Sequence, residues 1–360
     1  MKLGAACVLV GLFACGSEKA PAVDAASDID ATVDADAAID APFDAVEEMI
    51  DAPPSLSPTC TTTPTVLLET SPRRIGTMAR SGSTLYVSAY EMDASDQPIN
   101  SVVFTIDLTT GTQSVPPIST VGPMFLGATD GNVGDVFGAE NMSDGSIWQF
   151  HPGAPPAEII EHRDRPSTVT AEGGYVYWSE YVALGDPTAL VKRRLITGNT
   201  VEAVMECEVL DLAVVGPNLY CAGFRGLTFA PKAGGAVEGV SFMNSGYPIV
   251  SVNNDGSSVS FVSLYPFPEL FRATPGAMTA TKLHQLPLSG RYAGLTASSD
   301  YLYTVELDRG IRRIDRTTLA IEHIYQGPAN RDPVLWNNHL YFQAPNPQLS
   351  GDRYVMHCVD

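Results

Sequence analysis

A tight turn followed by a short apolar-aromatic strand recurs seven times along the 360 residues, and this recurrence limits the fold more than any other feature. The copies are Ser81-Gly82-Ser83-Thr84-Leu85-Tyr86-Val87, Asp130-Gly131 leading to Asp135-Val136-Phe137, Gly173-Gly174-Tyr175-Val176-Tyr177-Trp178, Gly216-Pro217-Asn218-Leu219-Tyr220-Cys221, Asp255-Gly256-Ser257-Ser258-Val259-Ser260-Phe261, Ser299-Asp300-Tyr301-Leu302-Tyr303-Thr304 and Asn337-Asn338-His339-Leu340-Tyr341-Phe342. With Leu85, Asp135, Val176, Leu219, Val259, Leu302 and Leu340 as equivalents, the steps are 50, 41, 43, 40, 43 and 38 residues. A four-stranded propeller blade has a length of roughly 40–45 residues. Each copy follows a run of small residues suited to a crowded innermost strand, such as Gly76-Thr77-Met78-Ala79, Thr168-Val169-Thr170-Ala171 and Gly294-Leu295-Thr296-Ala297. Each precedes a third strand, such as Val103–Asp107 before Thr110-Gly111 or Arg193–Ile196 before Thr197-Gly198. The expectation is an all-β chain, a β-propeller of seven blades with six as the alternative.

A ring of blades must close. The seventh copy ends on its third strand, Arg353–Cys358, and an outer strand is available upstream at Thr65–Glu69. This N-terminal strand is expected to complete the last blade and leave no large open edge.

The residues ahead of that strand read differently. Lys2 and the apolar run 3–14 form an export signal too short to span a bilayer permanently. The run ends Leu12-Phe13-Ala14-Cys15, which resembles the lipobox of bacterial lipoproteins. That resemblance implies a lipid on Cys15, and the lack of Asp just after it implies the outer membrane, with the periplasmic or the outer side left open. Residues 24–51 hold ten acidic side chains and no basic one, in units such as Ile29-Asp30-Ala31 and Phe43-Asp44-Ala45. Self-repulsion predicts a disordered linker. The domains expected are a signal peptide at 1–15, a linker at 16–58 and a propeller at 59–360. The net charge of −20 argues against nucleic acid as a partner.

Tyr177-Trp178-Ser179-Glu180, followed by Lys192-Arg193-Arg194-Leu195 and Gly198, resembles a blade of the YWTD-type propellers and, more loosely, of the TolB-like group. The resemblance covers one blade and implies the fold without a ligand.

Six cysteines are present. Cys7 leaves with the signal and Cys15 takes lipid, so four remain in an oxidising compartment. Cys358 ends the last strand and Cys60 lies just before the strand expected to pair with it, which places a Cys60–Cys358 bond within reach. Cys207 and Cys221 pair by elimination. The turn at 216–218 sets Cys221 opposite Leu212, however, and that register places Cys207 too far along the strand for a regular bond.

No sequence motif for a nucleophile, a zinc site, a phosphate loop or an EF-hand occurs. The six histidines, 151, 162, 284, 323, 339 and 357, are scattered along the chain. Counting eleven residues back from the strand marker gives Arg74, Arg165 and Arg291, and nine back in blade seven gives Arg331. These positions begin the innermost strands at the channel mouth, where a set of arginines would bind an anion. The same hairpins also predict cross-strand ion pairs, Arg165 with Glu180, Arg291 with Glu306, Arg74 with Glu91, and Glu208 with Arg225 with the charges exchanged. Arg74 and Arg331 are the stronger ligand candidates.

The functional expectation is a membrane-anchored, non-catalytic binding or interaction module, with a protein, a glycan or an anion as its ligand and no cofactor. The alternative is a propeller hydrolase or lyase with a site at the channel mouth, for which calcium would be the cofactor and Asp211, Glu91, Asp93 and Asp96 the candidate acids. Long loops at 89–101, 180–189 and 344–352 are expected on the same face as the arginines.

Overall fold

The computed structural model describes residues 64–360 apart from 71, 115, 128–133, 182–187, 243–247, 255–257, 265–266, 288–290, 308, 346–351 and 359–360. Cys15, the 16–58 linker and Cys60 therefore lie outside the described residues. All regular structure within them is strand.

The first strand, β1 (Thr65–Glu69), stands apart from the repeat. Blade one follows as β2 (Arg74–Ser81), β3 (Thr84–Met92), β4 (Pro98–Asp107) and β5 (Thr112–Gln113), with β6 (Ile118–Ser119) also on β4. Blade two is β7 (Met124–Gly127), β8 (Val136–Glu140), β9 (Gly145–Phe150) and β10 (Ala157–Arg163). Blade three is β11 (Pro166–Glu172), β12 (Tyr175–Tyr181), β13 (Thr188–Leu195) and β14 (Val201–Glu208). Blade four is β15 (Asp211–Val215), β16 (Asn218–Gly223), β17 (Gly226–Pro231) and β18 (Glu238–Gly239). Blade five is β19 (Ile249–Asn254), β20 (Val259–Ser263), β21 (Glu269–Ala273) and β22 (Thr281–Gln285). Blade six is β23 (Arg291–Ala297), β24 (Tyr301–Leu307), β25 (Gly310–Asp315) and β26 (Ile321–Gln326). The last sheet holds β27 (Asn330–Trp336), β28 (His339–Pro345) and β29 (Asp352–Cys358), and β1 completes it.

The described strands thus form seven antiparallel sheets. Their first strands touch in the order β2, β7, β11, β15, β19, β23, β27, and β27 returns to β2, so the ring is closed. In the closing sheet Thr65 opposes Met356 and Glu69 opposes Arg353.

Local sequence explains the hairpins. The turns between first and second strands need residues at positive φ, because that twist matches the strands they join. Gly82 at 54° and Gly216 at 59° meet the need, and in the last sheet Asn337 and Asn338 do so at 48° and 60°. Asn tolerates this region better than other side chains.

The core is divided among the junctions between neighbouring sheets. Blades three and four share Tyr177, Val191, Met205, Leu212, Leu219 and Ala230. Blades four and five share Tyr220, Phe229, Val252, Phe261 and Phe271. The junction that closes the ring packs Leu68 of β1 and Tyr341 of β28 against Ile75, Val87 and Phe104 of blade one. Each sheet therefore buries both faces, and its second strand is almost wholly buried, as β20 is from Val259 to Ser263.

Two sequence expectations need correction. Val136, fully buried, holds the marker position of blade two rather than Asp135, which lies just outside β8. The segment 89–101 is mostly an extension of β3 and β4, leaving only 93–97 as a turn. Its apolar and polar residues alternate well enough to continue the ladder, with Glu91 opposite Ile99 and Met92 opposite Pro98. The central parts of the 180–189 and 344–352 loops lie outside the described residues.

Candidate functional site

The first strands all begin at one end of the ring, and their starts carry the predicted arginines. Arg74 is the first residue of β2, Arg291 the first of β23, Arg331 the second of β27, and Arg165 directly precedes β11. The strands β23, β27 and β2 are consecutive in the ring. Arg291, Arg331 and Arg74 therefore occupy one arc, while Arg165 is separated from Arg74 by blade two. Arg74 and Arg291 are exposed. Arg165 is half-buried at a φ of 48°, and its N–H donates to the Met142 carbonyl at 3.0 Å.

The predicted ion pairs form in one case of four. Arg225 meets Glu208 at 2.9 Å. The other three carboxylates take different partners. Glu91 accepts from Asn100 at 2.8 Å and pairs with Arg73 at 3.4 Å. Glu180 accepts from the Trp178 indole at 2.7 Å, binds Lys192, and lies 3.8 Å from Arg163. Glu306 binds Arg312 at 2.7 Å and lies 3.7 Å from Arg309. The cause is register. Arg74 opposes Tyr90, Pro166 opposes Glu180 and Tyr292 opposes Glu306. A one-residue offset sends a side chain to the other side of a sheet. Pairing by hairpin counting was off by that one residue.

Those carboxylates hold the fold at this end. Glu140, four residues past its marker as Glu180 and Glu306 are past theirs, accepts from the backbone N–H groups of Val121 and Gly122 at 2.9 and 2.8 Å. It thereby fixes the connection from blade one to blade two. Glu306 is fully buried with Arg312 beside it. Sequence reasoning missed this role, although the signal was present. Blades three and six share Tyr-x-Tyr-x-x-Glu followed by adjacent basic residues, at Tyr175–Glu180 with Lys192-Arg193 and at Tyr301–Glu306 with Arg312-Arg313. Their contacts repeat as well. Arg193 stacks on Tyr175 at 4.7 Å and Arg313 on Tyr301 at 4.6 Å, while Glu202 and Glu322 bind the two guanidinium groups. The residues that carry the YWTD resemblance are therefore blade cement.

Three of the four candidate acids of the enzymatic alternative, Glu91, Asp93 and Asp211, accept hydrogen bonds within the fold. Asp211 accepts from the Ser251 hydroxyl at 3.2 Å and the Val252 N–H at 2.9 Å, joining β15 to β19. Asp93 accepts from the N–H groups of Ser95 and Gln97 at 2.7 and 2.9 Å, which builds the turn before β4. Asp96 adopts a φ of 56° in that turn. Among the described residues, no three His, Cys, Asp or Glu side chains gather to hold a metal ion.

The described histidine side chains make separate contacts. His151 contacts the buried Asp135 at 2.6 Å. His162 contacts Asp144 at 2.9 Å, and the hydrogen bond to that carboxylate raises its pKa. Burial lowers the pKa of His284, with Lys282 adding to the effect.

Cys207 and Cys221 form a disulfide with a Cα–Cα distance of 6.6 Å. Cys221 does oppose Leu212, as its hairpin predicts, but Cys207 is not placed along that strand. Cys207 lies in β14, the outermost strand of blade three, and reaches Cys221 in β16 across the junction between blades rather than along one strand. Cys358 ends β29, and its predicted partner Cys60 is outside the described residues.

No family model matches the chain, and no curated protein matches it. Solved structures do. An oligogalacturonate lyase from Vibrio parahaemolyticus has a TM-score of 0.59 at 10% identity, over 82% of this chain and 93% of that one. An oligogalacturonate lyase in complex with manganese gives 0.60 at 9% identity, over 84% and 94%. The WD40 β-propeller domain of Doa1 gives 0.55 at 12% identity, over 82% and 97%. The fold is a β-propeller. At such identities these propellers share an architecture with this one and nothing finer.

Proposed function

We propose that this propeller is a lipid-anchored, extracytoplasmic binding module that captures an anionic group of a protein or glycan at the end of the ring where the first strands begin. The observation that carries this reading is the arc of Arg291, Arg331 and Arg74 at the starts of three consecutive first strands. The neighbouring carboxylates are committed to holding blades and turns together, Glu140 on backbone N–H groups and Glu306 on Arg312. Guanidinium groups at a rim suit carboxylate, sulfate or phosphate through paired hydrogen bonds. The anchor rests on the residues before Cys15, and it would hold the module at the outer membrane.

The alternative is a hydrolase or lyase with a site at the same channel mouth. Its acids would be drawn from Asp211, Glu91, Asp93 and Asp96, of which the first three are already bound to backbone or side-chain donors of their own fold. Oligogalacturonate, the substrate class in the names of two structural neighbours, separates the readings.

The test titrates the full-length protein with inorganic phosphate and with oligogalacturonate, with and without calcium. Binding of at least one probe without cleavage is expected. Arg74→Ala with Arg331→Ala should weaken it about tenfold or more while the melting temperature stays nearly unchanged, because Arg74 is exposed and exposed ion pairs contribute only about 0–1 kcal/mol. Unaltered binding in the double variant, no binding of either probe, or cleavage of oligogalacturonate would overturn the proposal.

A further inference from the structure

The opposite end of the ring also exposes apolar side chains, as the arginine end does at Val121, Phe267 and Ile99. Each third strand runs in the same sense as its first strand and so ends there. Three consecutive blades present a large apolar side chain at this corner. Leu195 ends β13 in blade three, Val237 precedes β18 in blade four, and Met278 precedes β22 in blade five, with exposures of 40, 44 and 55%.

These side chains are displayed by a braced rim. Arg193 donates to the Lys232 carbonyl at 2.8 Å, and Lys232 pairs with Glu172 at 2.7 Å, joining blades three and four. The Gly276 N–H donates to the Tyr220 hydroxyl at 2.7 Å, and the Ser241 N–H to the Met278 carbonyl at 2.8 Å, joining blades four and five. Two arginines at the same end donate to backbone carbonyls, Arg80 to Leu335 and Gly82, and Arg194 to Ile159 and Gly198. Among the described residues, neither guanidinium pairs with a carboxylate. Finally, β1 begins opposite the end of β29, so the chain enters the propeller from this end.

We infer that this rim rests on a lipid surface, with Leu195, Val237 and Met278 among the headgroups and acyl ends. The orientation rests on the anchored reading given above. Exposed apolar side chains at the end where the chain enters the domain suit a shallow interfacial contact. The same end carries Asp107 and Asp315, each holding turn N–H groups. Their charge favours zwitterionic over anionic lipid. Three side chains make a weak contact, one that orients an already tethered module and leaves the arginine arc facing away from the membrane.

The test uses the chain from Gly16 onward, which lacks both Cys15 and the apolar run 3–14 so that binding reports on the rim, and vesicles of phosphatidylethanolamine and phosphatidylcholine. The protein should co-sediment weakly, and Leu195→Asp, Val237→Asp and Met278→Asp together should lower the bound fraction tenfold or more without changing the melting temperature. No sedimentation of this shortened protein, or equal sedimentation of its triple variant, would refute the inference. Binding that appears only after deletion of residues 24–51 would mean that the acidic segment covers the rim, which also refutes it. The mass of the mature N-terminus of the unaltered protein tests the anchor separately.

Discussion

At the residue scale, charge in this protein mostly holds backbone in place. Glu140 is buried and satisfies two N–H groups of the connection between blades one and two. Glu140→Ala leaves both donors without that acceptor, and hydrogen bonds to a charged group contribute about 1.5–3 kcal/mol. We expect a loss of about 2–3 kcal/mol in urea unfolding, with Glu140→Gln recovering part of it. The histidines give a second expectation. His162 is raised above the usual value of 6.5 by Asp144, so its contribution to stability is present below that value and is lost as the pH rises through the folded-state value. His284 is lowered from 6.5 by burial, so its contribution is present above that value and is lost as the pH falls. Proton NMR should show the His162 midpoint above that of His284, and Asp144→Asn should bring His162 down without moving His284.

At the element scale, β-strands of this kind are specified by alternation and by their turns, whereas what joins one sheet to the next is less visible. The Cys207–Cys221 bond staples β14 to β16 across such a junction, with a sequence separation of 14 residues. Closing a loop of about 15 residues contributes about 3 kcal/mol in the chain-entropy account. Replacing both cysteines with serine should lower the unfolding free energy by about that amount, read from denaturant midpoints under non-reducing conditions. A loss well under 1 kcal/mol would mean that the junction packing of Val191, Met205 and Leu212 carries the contact alone.

At the scale of the whole molecule, stability depends on closing the ring. β1 both pairs with β29 and supplies Leu68 to the junction between the last sheet and blade one. Removing residues 1–69 would open that junction and leave β29 as an edge with unpaired backbone groups, a template for other chains. Light scattering and size-exclusion chromatography should show self-association of the truncated protein, while removal of residues 1–58 should leave a monodisperse species. Equal behaviour of the two truncations would show that β1 is dispensable.

The repeating turn and aromatic strand were enough to determine the β-rich grammar, the order of the described hairpins and the closure by Thr65–Glu69. All of these depend on local φ preferences and on a period of two that any strand must obey. The positions of Arg74, Arg165, Arg291 and Arg331 at strand starts were legible for the same reason. Their partners were not. Whether Glu180 meets Arg165 or Lys192 depends on one residue of register, which a bulge between Pro166 and Val169 changes without altering the strand's composition. Nor could the sequence show that Cys207 lies beside Cys221, that Asp211 bridges β15 to β19, or that Leu195, Val237 and Met278 are exposed at one end of the ring. Each of these depends on the lateral packing of separate sheets, set by side-chain volume at seven junctions, and no local pattern along the chain records that geometry.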